Sequence, residues 1–171
     1  TDDWLAAPRT PAEHQRLVRD EGLLLDRAGA VVVCSPHLAE SKGRHRPVHL
    51  ITNAVDVERY RVPLPRPSDL PPGPVALYLG TVHPDRFDVD LTRMTAEELT
   101  GHGTLVLVGP VVDLTEAQIV ALDRAGVVRL GARPWSQVPA YLQHATVLVV
   151  PHLVNRFTDS LDPIKLSEYR A

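Results

Sequence analysis

From residue 75 onward the sequence alternates short apolar runs with longer amphipathic stretches, and this alternation constrains the fold more than any other feature. The apolar runs span residues 75–79, 105–108, 127–130 and 147–150. Helical periodicity predicts helices near 89–100, 115–125 and 136–143, and a last helix that begins near Pro163. Repeated strand–helix units need crossover connections, so the sequence predicts an α/β fold: a Rossmann-like parallel sheet flanked by helices.

The N-terminal part carries weaker signals of the same kind. Thr10-Pro11-Ala12-Glu13 has the pattern of a capping box with proline at the first helical position, which predicts a helix over 11–27. The β-branched run 30–34 predicts a buried strand, Ser35-Pro36 predicts the start of a short helix, and 48–51 is a second strand candidate. Residues 62–74 hold six prolines, which excludes a helix or an interior strand and predicts a stiff linker.

Composition narrows the function classes. The net charge of −3 argues against a nucleic-acid binder, and no apolar stretch approaches the roughly 20 residues that span a bilayer. The single cysteine, Cys34, ends an apolar run, so we expect a buried thiol and a reducing cytoplasm. The basic run 42–46 is either a solvated loop or a peripheral contact with acidic lipid.

Three of the predicted strands end in glycine. The pairs are Leu79-Gly80, Val108-Gly109 and Leu130-Gly131. Glycine allows a tight turn and a close approach of the backbone to a ligand, so one rim of the sheet is suited to a small molecule. The alternative is that each glycine only serves its strand-to-helix turn.

The loop 80–88 and the last helix carry the candidate chemistry. Arg86 can clamp a diphosphate with two parallel hydrogen bonds, or it can form an ion pair with Asp85 or Asp88. Lys165 and Glu168 lie three apart on one helix face, where they can contact phosphate and sugar hydroxyls or simply pair with each other.

Other ligand classes find less support in the residues. Trp135 and Tyr141 can flank a base or pack on the sheet. The glycine patterns of dinucleotide-binding folds and of P-loop NTPases are absent, so NAD and those NTPases are excluded. No two histidines lie at i, i+4 in a predicted helix, and we therefore predict no metal site.

Taken together, these motifs resemble the second half of glycosyltransferases with the GT-B fold. The matching stretches are LLDRAGAVVVCS (24–35), TNAVD (52–56), LGTVHPDRFD (79–88), LVGP (107–110), GARPWSQVPAYL (131–142) and SLDPIKLSEYRA (160–171). The chain is most similar to bacterial sugar-nucleotide glycosyltransferases of the teichuronic-acid biosynthesis type. The resemblance covers nearly the whole chain and implies a partial GT-B architecture.

The resemblance implies a division into domains and a role for each candidate residue. Residues 1–61 would be the end of the N-terminal, acceptor-side domain, 62–74 the interdomain linker, and 75–171 most of the C-terminal donor domain, truncated after its last helix. The cations that meet the diphosphate would be Arg86 and Lys165. The donor would otherwise be bound by Gly80, Thr81, Gly131, Ala132, Arg133, Ser160, Leu161 and Glu168.

Within that set the resemblance gives each group its own part of the donor. Glu168 would bind the ribose, residues 131–133 the base, and the Gly80 loop with Ser160–Leu161 the diphosphate. The acidic residue that relatives often carry eight positions before Glu168 is Ser160 here, with Asp159 and Asp162 as alternatives for its role.

The implied function is metal-independent transfer of a hexose from a UDP- or GDP-sugar to a carbohydrate or lipid-linked acceptor in polysaccharide biosynthesis. No cofactor is expected, the implied location is the cytoplasm or the inner face of the membrane, and the fragment alone is expected to self-associate and to lack turnover. Two alternatives stay open. One is a non-catalytic α/β module that binds a partner or scaffolds an active subunit, and the other is a sugar-nucleotide epimerase on the same fold.

Overall fold

The computed structural model describes residues 3–7 and 9–171. Contacts divide the chain into two compact units. The first comprises Thr1–Ala54 with Val154–Ile164, and the second comprises Val55–Leu153 with Lys165–Ala171.

The first unit is built on two short parallel strands. Helix α1 (Pro11–Arg27) precedes β1 (Val32–Val33), and α2 (Pro36–Gly43) leads to β2 (His49–Leu50), which pairs in parallel with β1. The capping box at Thr10 and Glu13 forms as predicted, and it fixes the start of α1. None of the α1 residues is fully buried, and the helix lines an apolar cavity of about 660 Å³ together with residues of β1. A short helix, α7 (Arg156–Asp159), completes this unit.

The second unit contains a four-stranded parallel sheet. Its strands are β3 (Val75–Leu79), β4 (Thr104–Val108), β5 (Val128–Gly131) and β6 (Val147–Leu148), in the order β5-β4-β3-β6. Its helices are α3 (Val57–Arg61), α4 (Val89–Glu98), α5 (Glu116–Arg124), α6 (Val138–Gln143), which follows a 3-10 turn at Trp135–Gln137, and α8 (Ile164–Arg170) from Lys165 onward.

Both faces of the two central strands, β3 and β4, are buried, which explains the continuous apolar character of these strands. Because successive strand residues point to opposite faces, Ala76 and Tyr78 belong to one core cluster and Val75 and Leu77 to the other. The first cluster includes residues of α4 and α5, and the second includes residues of α3, α6 and α8. The predicted fold class is therefore confirmed: an α/β unit with a Rossmann-like parallel sheet flanked by helices.

The proline-rich segment packs within the second unit. Leu70 is 5% exposed and joins the core cluster of α6. The Leu64 N–H donates to Gln143 Oε1 at 2.9 Å. The Leu64 carbonyl oxygen lies 2.8 Å from His144 Nε2. These contacts hold the segment in place, whereas the predicted domain boundaries at 61/62 and 74/75 stay predictions.

The structure tests two expectations drawn from composition, the burial of Cys34 and the absence of a membrane-spanning segment. Cys34, which we expected to be buried, is only half-buried. None of the helices in residues 3–7 and 9–171 is both long enough and apolar enough to cross a membrane.

Candidate functional site

The strand order of the second unit creates a crevice at one place. Strands β3, β4 and β5 follow one another outward in one direction, and β6 then returns to the other side of β3. In open α/β sheets, ligands bind outside the carboxyl ends of the strands at such a reversal of direction. The loops after β3 and β6 therefore form the candidate site.

Backbone hydrogen bonds fasten these two loops together. The Asp88 N–H donates to the Pro151 oxygen at 2.9 Å, and the Leu153 N–H donates to the Arg86 oxygen at 2.8 Å. Phe87 and His152 form an isolated antiparallel bridge between the same loops. Side chains from both loops are thereby held at fixed positions beside the strand ends.

Glycines let the rim of the sheet close tightly. Gly80 and Gly109 have φ angles of 139° and 145°, and a Cβ atom on Gly109 would overlap the Gly80 carbonyl. The Gly80 N–H donates to the Val108 oxygen and the Gly109 N–H to the Gly131 oxygen, both at 2.9 Å. The glycines that end β3, β4 and β5 thus serve close backbone approach as well as turning.

Four of the predicted binding residues meet at this rim. Gly80, Thr81, Ala132 and Arg133 line one small cavity of about 190 Å³, together with residues at the ends of β3 and β4. Gly131, with a φ of 74°, directly precedes Ala132 and Arg133 in the chain.

Lys165 lies against the Gly80 turn. A Cβ atom built on Gly80 would come within 2.7 Å of the Lys165 Nζ. Nζ donates to the Tyr78 hydroxyl at 2.8 Å and lies 3.3 Å from His152 Nε2. In the described residues no carboxylate forms a salt bridge with this ammonium group. Burial, helped by the charge of Arg86, lowers the pKa of Lys165 to about 8.

His152 and Tyr78 complete the surroundings of this lysine. Burial lowers the pKa of His152 to about 4, and the charges of Lys165 and Arg86 act in the same direction. The imidazole is therefore neutral at neutral pH. Burial also raises the pKa of Tyr78, so its hydroxyl keeps its proton. Sequence reasoning missed both residues, although His152 follows Pro151 directly after a strand end, which is a usable signal.

Arg86 is held by its neighbour in the sequence. Its Nε and Nη2 donate to the two oxygens of Asp85 at 2.9 and 3.2 Å, which is one of the two ion pairs considered as alternatives. Asp88 instead caps α4 by accepting from the Leu91 N–H. Burial opposes the shift, but the hydrogen bonds and charge of Arg86 lower the pKa of Asp85. Arg86 thus lies in the loop after β3, and its charge acts on Lys165 and His152.

Glu168 follows Lys165 by three residues and contacts α3. Its Oε1 accepts a hydrogen bond of 2.6 Å from the Tyr60 hydroxyl. Burial raises the pKa of Tyr60, and the hydrogen bond to Glu168 raises it further. The neighbouring Tyr169 accepts from the Leu79 N–H at 2.9 Å and donates to the Val149 oxygen at 3.3 Å, so it joins β3 to the chain leaving β6. Burial raises the pKa of Tyr169 to about 12.

Arg133, one of the residues predicted to contact the base, lies in a second hydrogen-bond network. Arg133 donates to the Tyr141 hydroxyl at 2.9 Å and to Asp69 of the proline-rich segment. Trp135 is 60% exposed. The Arg59 guanidinium lies over one face of its ring, with the guanidinium carbon 3.0 Å from the ring centroid. Of the two aromatic residues considered for a base, Tyr141 is therefore buried and Trp135 is exposed.

Ser160 and Leu161 belong to the first unit. The Ser160 side chain is fully buried, where it donates to the Phe157 oxygen at 2.6 Å and accepts from the Asp3 N–H at 3.0 Å. Asp162, an alternative to it as an acidic group, accepts from the Asn53 N–H at 2.6 Å. The predicted role of Ser160 and Leu161 in binding the diphosphate stays a prediction.

The titratable residues described here do not form a metal cluster. Within 3–7 and 9–171, no group of three or more His, Cys, Asp or Glu residues could hold a metal ion.

The chain was compared with protein families, curated proteins and solved structures. No family model and no curated protein matches the chain. A solved structure described as the crystal structure of AviGT4, a glycosyltransferase involved in avilamycin A biosynthesis, is similar at 22% identity and a TM-score of 0.45. The match covers 70% of this chain and 34% of that chain, so this chain spans about a third of the length of the solved protein.

Proposed function

We propose that this chain is part of a glycosyltransferase that takes a hexose from a nucleoside-diphosphate sugar, and that the crevice beside β3 and β6 binds the diphosphate. The proposal includes a UDP- or GDP-type donor and a carbohydrate or lipid-linked acceptor. It also keeps the division into an acceptor-side end (1–61), a connection (62–74) and a donor domain (75–171).

One observation carries this proposal. Lys165 is a partly buried ammonium group at the strand ends, bound to a phenol and a neutral imidazole, without a salt bridge to a carboxylate among the described residues. Burial of a cation without a counter-ion is costly, and the lowered pKa of Lys165 reports that cost. An anion in the crevice would supply the missing partner.

The chemistry of transfer fits such a site. When the bond between the sugar and the diphosphate breaks, negative charge builds on the phosphate oxygens of the leaving group. Fixed cations in a site that excludes water stabilise this charge. Lys165 and Arg86 would do so here without a divalent ion, while Glu168 would accept hydrogen bonds from the ribose.

Nucleotide binding tests the proposal directly. UDP, GDP and ADP should each be melted with the protein, and at a hundred times its dissociation constant the best ligand should add about 2.7 kcal/mol to the free energy of unfolding. Absence of a shift with all three at millimolar concentration would favour the scaffold alternative.

Single substitutions test the residues. Lys165→Ala and Glu168→Ala should each weaken nucleotide binding about 10- to 100-fold, since hydrogen bonds to charged groups contribute about 1.5–3 kcal/mol. Arg124→Ala is the matched control, because it removes one positive charge from the exposed end of α5. Calorimetry that shows wild-type affinity in both site variants would contradict the assignment.

A further inference from the structure

Tyr60 has a polar contact that its packing does not require. The residue is 7% exposed and belongs to a buried core cluster against which the partly buried Tyr169 and Leu148 pack. A phenylalanine would fill nearly the same volume there. What the hydroxyl adds is the 2.6 Å hydrogen bond to Glu168 Oε1.

The backbone around Tyr60 is anchored independently of Glu168. The Tyr60 and Val62 carbonyls both accept from Gln143 Nε2, at 2.8 and 2.7 Å. On the preceding residue, the Arg59 guanidinium covers the Trp135 ring and donates to the Trp135 oxygen at 2.8 Å. Tyr60 is thus a fixed donor for the more flexible side chain of Glu168.

Only one oxygen of the Glu168 carboxylate accepts a hydrogen bond from the described residues. Oε1 accepts from Tyr60, whereas Oε2 has no hydrogen bond within residues 3–7 and 9–171. The residue is half-buried, so water or a ligand can reach it. A carboxylate with one oxygen fixed and the other open is suited to hold an adjacent pair of hydroxyl groups in a defined orientation.

We propose that Tyr60 is a positioning residue: its hydroxyl fixes the Glu168 carboxylate so that the open oxygen receives the ribose hydroxyls of the nucleotide. This inference rests on the proposed function, because it requires a nucleotide in the crevice. The Tyr60 hydroxyl would increase the preference for a ribonucleotide over a nucleotide without ribose hydroxyls. A Glu168 carboxylate that is free to rotate would lose conformational entropy each time it binds the ribose, and this loss weakens binding.

The test compares a ribonucleotide with its 2′,3′-dideoxy form. The probe is whichever of UDP, GDP and ADP binds the wild-type chain most tightly, and affinities are measured by calorimetry. Tyr60→Phe should weaken the ribonucleotide about three- to tenfold and leave the dideoxy form within twofold of wild type. In a Glu168→Gln background, Tyr60→Phe should cause no further loss of ribonucleotide affinity.

Thr115→Val is the matched control. It removes a hydroxyl that donates to another side-chain oxygen, Gln118 Oε1 at 3.0 Å, at the start of α5 and outside the candidate site. The ratio of ribonucleotide to dideoxy affinity should stay at the wild-type value. A purely structural effect of Tyr60→Phe would weaken both ligands equally, which would overturn the inference.

The remaining outcomes distinguish failure of the proposed role of Tyr60 from failure of the proposed nucleotide-binding function. If the wild-type chain binds a nucleotide but Tyr60→Phe leaves the ratio unchanged, or tightens ribonucleotide binding, Tyr60 does not position Glu168. If the wild-type chain binds none of the three nucleotides, the proposed function fails first and the inference with it. Should Tyr60→Phe melt early, the two affinities are measured below its melting temperature, and a ribonucleotide-to-dideoxy ratio equal to the wild-type value there overturns the inference.

Discussion

At the scale of single residues, the protonation state of Lys165 controls the candidate site. Its ammonium group has a pKa of about 8 because it is partly buried and close to Arg86. Above this pH the neutral amine can no longer attract a phosphate. Among its neighbours, Arg86 stays charged, His152 is already neutral, and Tyr78 keeps its proton because burial raises its pKa.

Nucleotide affinity should therefore fall as the pH rises from 7 to 9. We expect the dissociation constant to increase above pH 8 with a slope that approaches about tenfold per pH unit, measured by calorimetry. Lys165→Arg should remove this dependence, since a guanidinium does not lose its proton in this range. A constant affinity of the wild-type chain from pH 7 to 9 would show that Lys165 does not contact the anion.

The residues of the site differ in how well the sequence predicts them. Arg86, Lys165 and Gly80 lie at strand ends or on one helix face, which periodicity and glycine placement reveal. The partners of these residues were not predictable in the same way. Tyr60 contacts Glu168 across 108 positions of sequence, and Tyr78 contacts Lys165 across 87. Only the folded chain brings such groups together.

At the scale of helices and strands, the bounds of an element are predicted best where a local signal marks its end or where burial is continuous along it. Helix α1 has the predicted bounds because its capping box fixes the start, and β3 has them because both of its faces are buried. Strands β1, β2 and β6 are shorter than their apolar runs, with two residues each. The length of these strands is limited by how many residues find a backbone hydrogen-bond partner on a neighbouring strand. The apolar character of a run does not reveal that number. Helix α7 was not predicted, since it has only four residues.

The contact between α6 and the proline-rich segment depends on one side chain. Gln143, at the end of α6, accepts from the Leu64 N–H and donates to the Tyr60 and Val62 carbonyls. Gln143→Ala should lower the free energy of unfolding by about 1–3 kcal/mol in urea titrations, because each of these bonds contributes about 0.5–1.5 kcal/mol. Hydrogen exchange at the Leu64 amide should also become faster.

Gln137→Ala is the control for this prediction. Gln137 is also exposed and lies at the other end of α6, where its side chain does not cap the helix. Its replacement should change the free energy of unfolding by no more than about 0.5 kcal/mol. Equal effects of the two substitutions would show that Gln143 does not hold the segment.

At the scale of the whole molecule, the first unit exposes apolar side chains on its short sheet. Val32, Leu50 and Ile51 are 55%, 47% and 63% exposed. Both strands of a two-stranded sheet are edge strands, and exposed apolar edges promote association between chains. The sequence-based expectation of self-association thus has a definite surface that can be tested.

Sedimentation velocity should show that the wild-type chain self-associates as its concentration rises. Ile51→Lys should shift this association to a concentration about tenfold higher or more, because a buried isoleucine contributes about 1.5–3 kcal/mol. Val154→Lys is the control, since Val154 is 94% exposed but lies outside the sheet. If both variants associate like the wild type, this sheet is not the contact surface.

Helix α8 has a consequence for how the site can vary. Lys165, Glu168 and Tyr169 lie at i, i+3 and i+4, so they share one face and reach the Gly80 turn, α3 and the ends of β3 and β6. One inserted residue between Lys165 and Glu168 would rotate the later two by about 100° relative to Lys165, so that the three side chains could no longer reach their partners together. A point substitution between these positions should therefore be far better tolerated than an insertion or deletion, because only the latter changes the spacing of the three side chains.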